Sequence, residues 1–363
     1  MPEDAAAAKA PTAQLDKKTS ILLGIIGLAF IVLIFWKVIP QIGSYADALE
    51  ALQSMGALSM ALIIVSVVVY LIFYGLPFMA AAPGLKYWRS EQVNQAAFAI
   101  SNGVPGGGAV GLAVQYGMLT SFAITATAST AAITAVGLWS SFVTLGFPIL
   151  GVGALVLAGQ SGGGYVLTAL IGLAVLIAVI VVFVLVMRSE PLAIKVGRLG
   201  NKLIKPFSGR IKSLQGLDLV APVTKFRSSM YELLKKRWLA ITVAQVAVSI
   251  AQFLILYFAL RGVEGWDTAG TSILVAFAAF AISQLGMMIP ITPGGLGTVD
   301  AAMIALLTKF GVATGAATAA DLVWRAASFV PQIVIGIIAL LLWYRKAGER
   351  FATTKVDPAS KPA

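Results

Sequence analysis

Four ionisable residues late in the chain, Asp300, Lys309, Asp321 and Arg325, sit in otherwise apolar stretches and are the first candidates for chemistry. A charge at the centre of a bilayer costs roughly 2.5–3.5 kcal/mol or more, so each must be paired or face a cavity. Asp321 and Arg325 are four residues apart and share one helix face, which predicts a mutually neutralising pair. The competing reading has Arg325 gripping a lipid phosphate, which the planar guanidinium suits. Asp300 is expected to close a broken helix by accepting backbone N–H bonds, with titration during transport as the alternative. Lys309 reads as a snorkelling side chain near an element end. Glu91 lies at the edge of another such stretch.

Two Gly/Pro runs are the second signal: Ser101-Asn102-Gly103-Val104-Pro105-Gly106-Gly107-Gly108, and Pro290-Ile291-Thr292-Pro293-Gly294-Gly295-Leu296-Gly297. Pro lacks an N–H and Gly weakens helix, so a helix breaks at both. Broken backbone at membrane depth survives only inside protein or beside a polar cavity. The structural reading is close helix packing; the functional one is that freed N–H groups attract an anion. Amides at Gln92, Asn94, Gln95, Asn102, Gln115, Gln245, Gln252, Gln284 and Gln332 either glue helices or line a wet groove for a polar head. The candidate substrate-binding set is Asn102, Pro105, Gly106, Gly107, Gly108, Pro293, Gly294, Gly295, Gly297, Asp300, Asp321 and Arg325. No catalytic residue, metal site or cofactor is implied.

The elements that must position these residues are membrane helices. Of 363 residues, 59% are apolar and 11% charged, against roughly 25% charged in soluble domains. Mean hydropathy is +0.92. The chain reads as an all-α polytopic membrane protein, which excludes a soluble α/β enzyme. Cys and His are both absent. Disulfides, thiol nucleophiles, Cys/His zinc sites and Ser-His-Asp triads are therefore excluded. Gly106-x-Gly108-x-x-Gly111 matches a dinucleotide fingerprint only formally, because no strand precedes it. Gly159-Gln160-Ser161-Gly162-Gly163 matches a nucleophile elbow but has no histidine base and reads as a turn. No Walker-type motif appears, so any transport draws on a gradient or mass action. A non-enzyme is expected.

The net charge is +11, and twelve Lys and Arg against three acidic residues put +9 of it between Arg188 and Arg237. The positive-inside rule places that segment in the cytoplasm, resting on the inner leaflet, rather than on nucleic acid. Residues 1–20 read as a disordered cytoplasmic tail, 21–344 as the membrane domain and 345–363 as a second cytoplasmic tail. Six spans are predicted: Ile21–Ile39, Ala57–Met79, Phe122–Leu157, Tyr165–Met187, Trp238–Leu260 and Thr314–Tyr344. Two re-entrant hairpins, Glu91–Met118 and Thr271–Phe310, carry the breaks. The 36 residues Phe122–Leu157 read either as one kinked helix or as two segments. Pro105 and Pro293 are 188 residues apart in loosely matching runs. This suggests two repeats of opposite orientation, 57–157 and 238–344, separated by the basic segment 188–237. Inverted repeats whose broken helices meet near the midplane suit a transporter.

At these residues the chain resembles a known family. Pro290 to Asp300, then Ala320-Asp321-Leu322-Val323-Trp324-Arg325, Pro331 and Gly336, form the later signature. The earlier one is Pro83-Gly84-Leu85-Lys86-Tyr87-Trp88-Arg89, Asn94-Gln95-Ala96 and Asn102 to Gly108. Together they resemble the flippase-like family of the lysylphosphatidylglycerol synthase transmembrane region, also seen in multiple peptide resistance factors, in a stand-alone actinobacterial form. The resemblance implies a lipid flippase for an anionic phospholipid or a polyprenyl-linked lipid. In multiple peptide resistance factors it implies flipping of aminoacylated phosphatidylglycerol, with a soluble aminoacyl-transferase domain following. Nineteen residues follow Tyr344 here, so that domain is not expected and the lysyl-lipid substrate stays open. Asp300 stands where the family pattern usually has Glu or a polar residue. Expected partners are membrane lipids and a lipid-modifying or glycosyl-transferring enzyme. A transporter of a small polar solute and a non-transporting scaffold are the alternative functions. The expected location is the cell membrane, multi-pass, with both termini cytoplasmic.

Overall fold

Apolar runs bounded by Gly, Pro and capping hydroxyls set the helix ends in a computed structural model that describes residues 49–50, 53, 55–103, 107–160, 163–208, 218–267, 269–288 and 293–353. The expected tail 1–20 and span Ile21–Ile39 lie outside the described residues. Helices α1 (Ala57–Tyr74), α2 (Leu76–Ala81), α3 (Tyr87–Gly103), α4 (Gly107–Ser121), α5 (Ala126–Leu157) and α6 (Gly163–Arg188) come first. Then follow α7 (Glu190–Ser208), α8 (Val220–Glu264), α9 (Ile273–Ser283), α10 (Thr298–Lys309) and α11 (Thr314–Thr353), with 3-10 turns at Gln284–Met288 and Pro293–Gly295. No strand occurs among the described residues.

Four helical stretches are long and apolar enough to cross a membrane: 57–81, 126–157, 230–264 and 314–345. A fifth counts if the bent pair α6–α7, turned through 103°, is one span. Phe122–Leu157 settles as one helix, α5, running through Pro148. Its start is fixed by Thr125, whose side chain accepts from the Ala128 N–H. Ser272 caps α9 in the same way, at Val275. The basic segment is more helical than a loop reading implies. Lys195, Arg198 and Lys202 are exposed on α7 while Ala193 and Gly197 are buried, the 3.6-residue period of an amphipathic helix. The first turns of the 45-residue α8 continue the basic stretch.

Both Gly/Pro runs interrupt helices. Helices α3 and α4 pack against each other across residues 104–106, and α9 and α10 pack across the second break. In addition, α1 packs on α8, α3 on α11, and α5 on α9. A glycine lies at each of these three contacts. A Cβ on Gly262 would come within 2.9 Å of Ser59 Cβ, one on Gly151 within 3.1 Å of Ala281 Cβ, and one on Gly336 within 2.6 Å of Ala99 Cβ. Small residues let backbones approach where lipid gives no hydrophobic drive between helices.

A third break, at Gly75-Leu76-Pro77, separates α1 from α2. At this break α3 supplies three side chains from one face to backbone carbonyls. Tyr87 donates to Ile72 O at 2.8 Å, Ser90 to Gly75 O at 2.5 Å and Asn94 to Tyr74 O at 2.6 Å. The spacing 87, 90, 94 is that of a single helix stripe.

Candidate functional site

Backbone chirality shapes the second break. Gly294, Gly295 and Gly297 have φ of 61°, 67° and 85°, a region that side chains disfavour. Thr298 Oγ1 donates to Gly286 O at 2.9 Å and Gly295 O at 3.0 Å, pinning the turn to the end of the Gln284–Met288 segment. The Gly297 N–H donates to Asp300 Oδ2 at 2.6 Å. Asp300 therefore closes the start of α10, as its position after the glycines suggested. That carboxylate occupies the helix N-terminus where an anion would otherwise bind.

Arg325 is the correction to the sequence reading. Its ion-pair partner is Asp300, twenty-five residues away, and not Asp321, one turn earlier. Nε donates to Asp300 Oδ1 at 2.7 Å, and Nη2 lies 2.6 Å from the same oxygen as an ionic contact without hydrogen-bond alignment. Nη1 donates to Gly294 O at 3.3 Å, and the guanidinium carbon lies over the rings of Trp324 (4.6 Å) and Phe329 (4.8 Å). Arg325 is 2% exposed. Every face of the cation is thus occupied by protein. Asp321 is also buried, with Asp300 and Arg325 as its charged neighbours. Tertiary packing brings α10 onto α11 and overrides the local i,i+4 pairing.

The two breaks meet. A Cβ on Gly294 would come within 2.7 Å of both Asn102 Oδ1 and a Phe329 ring carbon. Asn102 and Gly294 together line a cavity of 430 Å³. Six of the nine singled-out amides also face it: Asn94, Asn102, Gln115, Gln245, Gln252 and Gln284. Of the other three, Gln92 and Gln332 bond between helices and Gln95 bonds within α3. Gln92 donates to Ala339 O at 3.0 Å, Gln95 to Glu91 at 2.6 Å, and Gln332 accepts from Tyr70 at 2.9 Å. No charged side chain is among the described residues lining the cavity.

The remaining candidates divide by place. Gly107 is packed so that a Cβ would strike Ile100 O, and Gly111 so that one would strike Ser101 Oγ, which is the close-packing role for the first run. Gly108 is exposed with open space around it. Pro105 and Gly106 lie outside the described residues, and Pro293 opens the 3-10 turn. Gly295, Gly297, Asp300, Asp321 and Arg325 do not line the cavity; they hold its wall.

Sequence reasoning missed the hydroxyls and the rings. Ser140 and Thr144 on α5, and Ser249 on α8, face the cavity. Their signal was spacing: 140 and 144, and 245, 249 and 252, each mark a polar stripe on one helix face. An aromatic row, Tyr70, Tyr74, Phe98 and Phe329, runs along another wall with ring centroids 5.2–5.9 Å apart. Beside the cavity lies an apolar groove of 760 Å³ between α5, α6 and α8, with Arg188 and Lys235 among its lining residues. Val143 and Phe147 of α5 line both spaces. Two hydrogen bonds join α5 to α8 along this wall: Trp139 Nε1 to Thr242 Oγ1 at 2.7 Å, and Gln245 Nε2 to Val136 O at 3.2 Å.

Comparison with known proteins gives a consistent picture. The profile of the lysylphosphatidylglycerol synthase TM region matches residues 24–336. A UPF0104 membrane protein of Methanocaldococcus jannaschii is 30% identical over 79 residues, 22% of this chain and 24% of that protein. A UPF0104 membrane protein of Methanothermobacter thermautotrophicus is 31% identical over 118 residues, 32% of this chain and 34% of that protein. The matched segments thus span about a quarter and about a third of these curated relatives.

Proposed function

The chain belongs to the lysylphosphatidylglycerol synthase TM-region family, and from its cavity and groove we propose that it moves a lipid across the membrane. The observation that carries this reading is the shared wall. A cavity with amides and hydroxyls in its wall and an apolar groove share Val143 and Phe147 as lining residues. A lipid has the same two-part chemistry: its head group needs hydrogen-bonding partners, and its tails need none. In this reading the head passes through the amide-lined cavity while the tails stay in the groove and the bilayer. The cavity alone would suit a small polar solute equally well; the adjoining groove favours lipid. The chain carries its cargo without covalent chemistry.

The reciprocal packing of α1 on α8, α3 on α11 and α9 on α5 supports two repeats of opposite orientation, each a span, a hairpin and a span. Each hairpin then leans on the closing helix of the other half, so rocking of one half would move both walls of the cavity together. The basic segment 188–237 lies on the cytoplasmic side in this arrangement.

The test is lipid transfer between leaflets of reconstituted vesicles, read with a fluorescent lipid and a membrane-impermeant quencher. Removing the ring in Phe147→Ala should speed transfer by opening the wall, and Phe147→Trp should slow it. If both variants transfer lipid at the wild-type rate, or if a polar solute crosses and lipid does not, the lipid reading fails.

A further inference from the structure

Resting on the lipid-transport reading, we propose that the head group carried is uncharged and hydroxyl-rich, as in a glycosylated lipid. The cavity offers amides, hydroxyls and aromatic rings, and no charged side chain lines it among the described residues. Arg325 sits behind Gly294 and Phe329, neutralised by Asp300 and 2% exposed, and Arg188 and Lys235 line the adjoining groove rather than the cavity. The start of α10 is likewise closed by Asp300. An anionic head would therefore enter without a countercharge, at a penalty of about a hundredfold in rate.

The polar groups point to sugar or polyol chemistry. A primary amide carries both donor and acceptor, and so does a hydroxyl, whereas a phosphate offers acceptors alone. Gln284, 7% exposed and lining the cavity, has its Nε2 buried without a hydrogen-bond partner. A buried unsatisfied donor is costly, and a ligand oxygen would satisfy it. Asn102 donates to Phe98 O at 3.0 Å and keeps its Oδ1 at the meeting of the two breaks. Phe98 and Phe329, 5.2 Å apart edge to face, supply apolar surface for the C–H face of a ring.

The experiment uses the full chain, purified in a detergent without a sugar head and reconstituted in phosphatidylcholine vesicles. Three fluorescent probes are compared: a glycosyl diacylglycerol, phosphatidylglycerol and a polyprenyl-phosphoryl hexose. The glycosyl diacylglycerol is expected to cross at least tenfold faster than phosphatidylglycerol. Gln284→Leu should lower that ratio about three- to tenfold, the effect of one lost hydrogen bond. Gln252→Leu provides the same reading if the first variant does not fold. Equal or faster transfer of either charged probe overturns the uncharged head group, as does an unchanged ratio in a folded variant. If no probe crosses, the lipid-transport reading fails. The head-group inference is then decided separately, by whether the detergent-purified chain retains the glycosyl lipid over phosphatidylglycerol in native mass spectrometry.

Discussion

Replacing Asp300 by Asn tests the tertiary ion pair most directly. Asn keeps the size of the side chain and an oxygen that can accept from the Gly297 N–H, so the start of α10 is retained and only the charge is lost. Arg325 then stays in place, 2% exposed, its hydrogen-bonded carboxylate gone and the Gly294 carbonyl still accepting from Nη1. Breaking a buried pair by removing one partner typically costs about 3–5 kcal/mol. Asp300→Asn and Arg325→Met should each fall near that range, the second also losing the stacking on Trp324 and Phe329. The double variant removes both charges and should recover most of the loss, giving a coupling energy of about 2–3 kcal/mol. A parallel cycle pairs Asp321→Asn with Arg325→Met and should couple less than half as strongly, since the ion pair and the hydrogen bond of the guanidinium go to Asp300. The assay is equilibrium unfolding in mixed micelles, followed by circular dichroism and tryptophan fluorescence. Stronger coupling of Arg325 to Asp321 than to Asp300 would refute the pairing described here and restore the local i,i+4 pair.

Gly294→Ala should reduce transport at least tenfold, because φ is 61° and the added Cβ meets Asn102 and Phe329; normal transfer rates would show that the breaks need not meet. Gly336→Leu should destabilise the α3–α11 contact by about 1–3 kcal/mol through overpacking, measured by the same unfolding assay. A single cysteine placed at 215 in this cysteine-free chain should resist an impermeant reagent added to intact cells, and its labelling would reverse the orientation. Asp218 accepts from the Val220 N–H and from Asn201, which hold its carboxyl below the usual carboxylate range. Its contribution to holding the start of α8 against α7 is present above the unfolded carboxylate pKa and lost as pH falls through the lower folded value. Proteolysis at the start of α8 should therefore speed up in acid, and Asp218→Asn should remove the pH dependence.

Much was written in the sequence because it depends on neighbours along the chain. Long apolar runs mark membrane helices, since a helix satisfies its backbone hydrogen bonds within the one segment. Both Gly/Pro breaks were legible because Pro lacks a donor and glycine most readily adopts the positive φ found at Gly294, Gly295 and Gly297. The capping role of Asp300, three residues after Gly297, is local in the same way. What only the tertiary structure decided are the contacts between distant segments. Asp321 lies one turn from Arg325, yet α10 delivers Asp300 to the guanidinium, because a dry cation takes the best-aligned carboxylate that packing brings. Likewise nothing along the chain separates Gln284, which faces the cavity, from Gln332, which binds Tyr70. Spacing can put an amide on a helix face, but which face meets water, a head group or another helix is set by the neighbour that packs there.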